Sequence, residues 1–60
     1  MDTQTIIEYI KDNPNSDGID IAIGLKMPIA ETYSILHDLE NKLVIERVYI
    51  GICSYYIVKQ

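Results

Sequence analysis

Residues 28–42, PIAETYSILHDLENK, decide the fold of this chain. Thr32, Leu36 and Leu39 follow one another at the three- and four-residue steps of an α-helix, with Ile35 beside them, so one helix face can be buried. The opposite face carries a neutral stripe of small and polar side chains: Ala30, Ser34, His37 and Asn41, flanked by Tyr33 on one side and by Glu31 and Asp38 on the other. Because the apolar face must pack inward, we expect any function of this helix to use the neutral stripe.

Two shorter helices are predicted before this one. Asp2 or Thr3 can cap a first helix that runs to about Asp12 and ends because Asn13 precedes Pro14. Its inward positions are Ile6, Ile7 and Ile10. A second helix is expected over about 20–25, with Asp20 at its cap and a turn at residues 26–27, and Pro28 suits the first turn of the following helix. Gly18-Ile19 is a candidate for a short strand.

The stretch after the main helix, LVIERVYIGICSYYIV at residues 43–58, predicts two β-strands around a glycine. We expect the strands at about 43–50 and 54–58, with Gly51 in the hairpin. Helix, turn, helix and a two-stranded wing is the order of a winged helix-turn-helix domain. The expected fold is therefore a single α+β domain over residues 1–60, with a possible third strand near Gly18-Ile19.

The composition of the chain limits the kinds of function that it can have. The chain has 60 residues, is 48% hydrophobic and has one cysteine, so it fits one small folded domain without an internal disulfide. No apolar run approaches the length of a membrane helix, and we expect a cytoplasmic protein with no membrane partner. The net charge of −4 disfavours nucleic-acid binding, because phosphate affinity comes from Lys and Arg. A groove nevertheless needs only a local positive patch.

Residues 19–48 resemble the core of bacterial and archaeal winged-helix transcription regulators. The matching positions are Ile21-Ala22, Leu25, Met27, Leu36, Leu39-Glu40 and Leu43-Val44. With the terminal SYYIVK, the chain looks most like the small single-domain fimbrial regulators of the PapI/FaeA type, over about residues 3–59. Two positions depart from that pattern: Leu43 stands where such regulators have a glycine, and the neutral stripe lacks their Arg or Lys.

The resemblance implies a sequence-specific regulator of double-stranded DNA, with the helix at about 28–42 in the major groove and the wing on the backbone. Ser, Asn and His can hydrogen-bond base edges, and a small residue permits close approach. Lys and Arg at the turn, the helix end and the wing would contact phosphates. The candidate DNA contacts are Lys26, Ala30, Tyr33, Ser34, His37, Asn41, Lys42 and Arg47.

An acidic winged helix can instead serve as a protein-interaction module that does not bind DNA. The strands hold more apolar surface than three short helices can cover, and exposed apolar surface is common at protein interfaces. The candidate interface residues are Tyr49, Ile50, Ile52 and Tyr55. A homodimer or a larger protein would be the partner.

Other chemistries find little support in the sequence. Residues 13–18 match the first half of a calcium-binding loop, but Gly24 stands where the closing Glu is required. His37 and Cys53 are too few for a zinc site. The sequence contains no pattern of a nucleophile with its base and no glycine-rich phosphate loop. We therefore expect no enzymatic activity, no cofactor and no small-molecule substrate.

Overall fold

The structure, a computed structural model, describes residues 3–59. Within this range the chain order is three α-helices followed by two antiparallel strands, which confirms the predicted α+β, winged helix-turn-helix layout. The elements are α1 (Thr3–Asp12), α2 (Gly18–Leu25), α3 (Ile29–Asn41), β1 (Ile45–Ile50) and β2 (Cys53–Val58). The predicted capping role of Asp2 lies outside the described residues. No helix in the described part of the chain is both long and apolar enough to cross a membrane.

One apolar core joins all five elements. On α3, Thr32, Leu36 and Leu39 are almost completely buried, as the helical spacing predicts. The core contains Ile6, Ile10, Ile21, Met27, Leu36, Leu39, Ile45 and Tyr56. Because both strands contribute a buried residue to this core, the sheet is held against the helices and α3 keeps a fixed orientation.

Helix α2 begins two residues earlier than predicted. Asp17, rather than Asp20, is the N-cap: the Asp17 carboxylate accepts a hydrogen bond of 2.9 Å from the Asp20 backbone N–H. The Asp20 carboxylate in turn accepts one of 3.3 Å from the Asp17 N–H, which completes a capping box. The prediction of a strand at Gly18-Ile19 is wrong, because this reciprocal cap draws both residues into the helix. One sheet-like contact remains, in which the Tyr56 N–H donates to the Ser16 carbonyl at 3.1 Å.

A residue in the left-handed conformation lies just after each of the helices α2 and α3. Lys26 has φ 56° and Leu43 has φ 61°. After α3, the Val44 N–H donates to the Leu39 carbonyl and the Leu43 N–H to the Glu40 carbonyl, both at 3.0 Å. This pair of bonds is a Schellman motif, formed here without the usual glycine. Since the motif uses residues 43 and 44, β1 begins at Ile45 and not at the predicted residue 43.

The hairpin is tight and sets which side chains share a face. Ile50 pairs with Cys53 across a loop of Gly51 and Ile52, and Gly51 has φ 60°, as a glycine-first two-residue turn requires. Residues directly opposite on antiparallel strands point to the same face. The inner face, toward the helices, therefore has Ile45, Arg47, Tyr49, Ser54, Tyr56 and Val58. The outer wing face has Glu46, Val48, Ile50, Cys53, Tyr55 and Ile57.

Candidate nucleic-acid interface and wing surface

The neutral stripe of α3 faces outward. Its four members, Ala30, Ser34, His37 and Asn41, are all exposed. The helix is held by its buried face and, at its first turn, by a hydrogen bond of 2.9 Å from the Thr32 hydroxyl to the Pro28 carbonyl. Pro28 itself is the N-cap, one position before the first helical turn in which it was expected. The predicted outward direction of this stripe is confirmed.

Tyr33, a candidate base contact beside the stripe, is partly used by the fold. Its ring lies against Gly18 at the start of α2, so closely that a Cβ added to Gly18 would clash with the ring and the hydroxyl. Tyr33 is half-buried and packs against the core. It fixes α2 against α3, and only the rest of its surface can meet a ligand.

Two of the three candidate phosphate contacts have partners inside the chain. The Lys42 Nζ lies 3.0 Å from the Asp38 carboxylate, and both side chains are more than half exposed. Arg47 lies on the inner sheet face, where its Nε donates to the Ser54 hydroxyl at 3.1 Å. Lys26, at the turn between α2 and α3, is exposed. Acidic Glu31 and Asp38 are exposed on the helix between these cations.

The Arg47 guanidinium is placed between two aromatic rings. It lies 5.3 Å from the ring centre of Tyr49 and 5.8 Å from that of Tyr56, within the range of cation–π attraction. Burial raises the pKa of the Tyr56 hydroxyl above its ordinary value, and the nearby Arg47 charge opposes that shift. These contacts hold the half-buried Arg47 side chain on the inner face of the wing.

The predicted interface residues of the wing do not form one surface. Ile50 and Tyr55 lie on the outer wing face, and Ile52 is fully exposed in the turn. Tyr49 is 68% exposed but points to the opposite face, beside Arg47. Sequence reasoning did not place Cys53 and Ile57 on the outer wing face, where they lie with Val48. Counting alternate residues outward from the Gly51-Ile52 turn would have found them.

A concavity of about 310 Å³ adjoins the outer wing face. It lies between the end of α1, the loop that follows, and the second half of β2. Its lining residues are Ile10, Lys11, Pro14, Asn15, Tyr55, Tyr56, Ile57 and Val58. Tyr55 and Ile57 line this concavity and also belong to the outer wing face, while Ile10, Tyr56 and Val58 line it from the helix side of the sheet.

The remaining titratable residues of the described part of the chain do not gather into a metal site. Among residues 3–59, no three His, Cys, Asp or Glu side chains are close enough together to hold an ion. In the loop that resembles half of a calcium site, the Asp17 carboxylate caps α2. Cys53 is a free, exposed cysteine on the outer wing face.

Comparison with known proteins finds no matching family model, no matching curated protein and no matching solved structure.

Proposed function

We propose that this chain is a small transcriptional regulator that binds double-stranded DNA through the major groove with α3. The observation that carries the proposal is the exposed neutral stripe of Ala30, Ser34, His37 and Asn41 on a helix fixed in a winged helix-turn-helix arrangement. At 1.5 Å per residue the stripe is about 16 Å long, which is enough to follow a few base pairs along a groove.

The chemistry of the stripe suits base edges. Asn41 can pair with adenine through its amide, while Ser34 and His37 can donate to base or phosphate oxygens. Ala30 brings the helix start close to the groove because it has no long side chain. No member of the stripe carries an acidic group that would repel phosphate, although Glu31 and Asp38 beside it do.

Electrostatics set the expected strength of binding. Lys26 is exposed in the turn before α3, and Lys42 can turn from Asp38 to a phosphate because the pair is exposed and weak. The wing tip, Ile50-Gly51-Ile52, has no cation, and Arg47 is held by its tyrosines. We therefore assign only two or so phosphate contacts, which gives modest affinity and a shallow dependence on salt.

The resemblance of residues 19–48 to winged-helix transcription regulators, and over the whole domain to the small fimbrial type, supports the same role. In that role the chain acts in the cytoplasm, needs no cofactor and catalyses no reaction.

The test is selection of a target from a pool of random duplexes at low salt, followed by titration of the enriched duplex. We expect the double variant Ser34→Ala and His37→Ala to bind the enriched duplex at least about tenfold more weakly, since each lost base contact costs about 1–3 kcal/mol. Glu8→Ala, an exposed substitution on α1, serves as the control and should leave specific binding intact. Failure to enrich any duplex, with no retardation even at low ionic strength, overturns the proposal.

A protein-interaction module is the second candidate. It is favoured by one observation: Lys42 and Arg47, two of the cations that DNA binding would use, are both engaged within the chain. With Glu31 and Asp38 exposed on α3, a basic protein surface is the matching partner. Absence of any salt-dependent DNA binding would leave this function in place of the first.

A further inference from the structure

We propose that the neutral stripe of α3 selects A·T base pairs over G·C base pairs, with Ala30 against the methyl group of a thymine and Asn41 on an adenine. This preference belongs to the same surface as the DNA binding and rests on the proposed function. It specifies which base pairs are read, so selection of a G·C-rich duplex and a complete lack of duplex binding are different results.

Guanine has no strong partner on this helix. Its major-groove edge presents two acceptors, O6 and N7, which proteins read most often with two hydrogen bonds from Arg or Lys. Helix α3, IAETYSILHDLEN, contains neither residue type. The nearest cations in the sequence, Lys26 and Lys42, lie outside its two ends, and the Lys42 Nζ is 3.0 Å from the Asp38 carboxylate. The exposed face of α3 therefore lacks the side chains that would favour a G·C pair.

Ala30 favours thymine. It is exposed in the first turn of α3, and the N-terminal residues of a recognition helix are the ones that contact base edges. Because its side chain is a single methyl group, the favourable base contact open to it is the thymine C5 methyl group. Cytosine lacks this methyl group, and a purine presents polar atoms that would lose water against Ala30.

Asn41 favours adenine. Its side-chain amide has a donor and an acceptor, which match N7 and N6 of adenine in two hydrogen bonds. Guanine offers acceptors at both positions, so the Asn41 carbonyl oxygen would face the guanine O6. The Asn41 side chain is exposed and makes no hydrogen bond or ion pair within residues 3–59, so it can turn to a base.

The side chains between and beside these two residues do not oppose the preference. Ser34 and His37 can hydrogen-bond to either type of base pair. The exposed Glu31 carboxylate can accept an amino proton from adenine as well as from cytosine. At 1.5 Å per residue, Ala30 and Asn41 lie about 16 Å apart along the helix axis. The two A·T pairs are therefore at most about five base pairs apart, at about 3.4 Å per pair.

Chemically altered duplexes test each contact with the wild-type chain, so the result does not depend on how a variant folds. The starting duplex is the one enriched from the random pool, and its thymidines and adenosines are replaced one at a time. Deoxyuridine lacks only the methyl group, and at the contacted thymidine it should weaken binding about fourfold. 7-Deazaadenine lacks only the N7 acceptor, and at the contacted adenine it should weaken binding about three- to tenfold. Replacements in the flanking sequence are the controls and should have no effect.

Variants then assign each contact to a residue. Ala30→Gly should bind the deoxyuridine duplex and its parent equally, and Asn41→Ala should bind the 7-deazaadenine duplex and its parent equally. Glu8→Ala, an exposed substitution on α1, should respond to both replacements as the wild type does. Circular dichroism of each variant checks that its fold is retained.

The outcomes separate the preference from the proposed function. An enriched duplex with G·C pairs throughout the contacted segment overturns the preference and leaves the proposed function standing. A deoxyuridine penalty that persists at full size in Ala30→Gly, or a 7-deazaadenine penalty that persists in Asn41→Ala, overturns the assignment to that residue. The absence of any enriched duplex, with no retardation at low salt, overturns the proposed function and the preference with it.

Discussion

The Lys42 ammonium lies 3.0 Å from the carboxylate of Asp38, one helical turn earlier on α3. This contact occupies one of the few cations near the neutral stripe. The Asp38 carboxylate also places a negative charge beside the stripe. Asp38→Asn removes the charge and releases Lys42. We expect the affinity for duplex DNA to rise about three- to tenfold, because Lys42 no longer has to leave Asp38 to reach a phosphate and a repelling carboxylate is removed.

Titration of a fluorescent duplex with the wild type and the variant at low salt measures the change of affinity. Glu8→Gln makes the same change of charge on α1 and should raise affinity much less. Equal gains from the two substitutions would mean that only the net charge matters, and that Lys42 does not contact the duplex.

The contact between Tyr33 and Gly18 gives a second prediction. An added methyl group at Gly18 meets the Tyr33 ring, so Gly18→Ala should lower the free energy of unfolding by about 1–2 kcal/mol through overpacking. In a Tyr33→Leu background the ring is absent, and the same substitution should cost little, because alanine is the better helix former.

Urea denaturation of the four chains measures the coupling, which we expect to be about 1–2 kcal/mol. If Gly18→Ala costs the same in both backgrounds, the glycine is required for a reason other than the Tyr33 ring.

The helices of this fold are well predicted where apolar residues recur at helical spacing over several turns. The segment at 28–42 forms a helix over 29–41. Helix α1 ends at Asp12 as expected, because Pro14 disfavours the helical conformation of the residue before it. The start of α2 was misplaced because Asp17 and Asp20 are both good caps. Only their reciprocal hydrogen bonds show which one lies outside the helix.

The surfaces were harder to predict than the elements. Which face of the hairpin Tyr49 occupies depends on the register, and a shift of one residue reverses every side chain. The positions of Arg47 and its two tyrosines depend on the same register, since Tyr56 comes from the opposite strand. The neutral stripe was predictable, because it is simply the face of α3 opposite the buried one.

The left-handed conformation of Leu43 gives a third prediction. A side chain in this region costs about 1–2 kcal/mol, and Leu43 recovers little by burial because it is 63% exposed. Leu43→Gly should therefore raise the free energy of unfolding by about 0.5–1 kcal/mol, after the larger entropy of glycine in the unfolded chain is subtracted.

Leu43→Ala is the matched control, since it removes the same side chain but keeps the Cβ and its strain. Thermal and urea denaturation should show no gain for alanine. A loss of stability in the glycine variant would indicate that the Leu43 side chain makes a contact worth more than the strain.

The buried hydroxyl of Tyr56 predicts how stability depends on pH. Burial raises its pKa in the folded chain above the ordinary value near 10, so the unfolded chain loses this proton first as the pH increases. The stabilising contribution is complete below about pH 10 and is lost as the pH rises through the folded-state pKa.

Tyr56→Phe keeps the ring beside Arg47 and removes the ionisable group. The free energy of unfolding of this variant should fall less steeply than that of the wild type above about pH 10. Parallel curves for wild type and Tyr56→Phe across this range, measured by urea denaturation, would show that the Tyr56 hydroxyl ionises equally easily in the folded and unfolded chains.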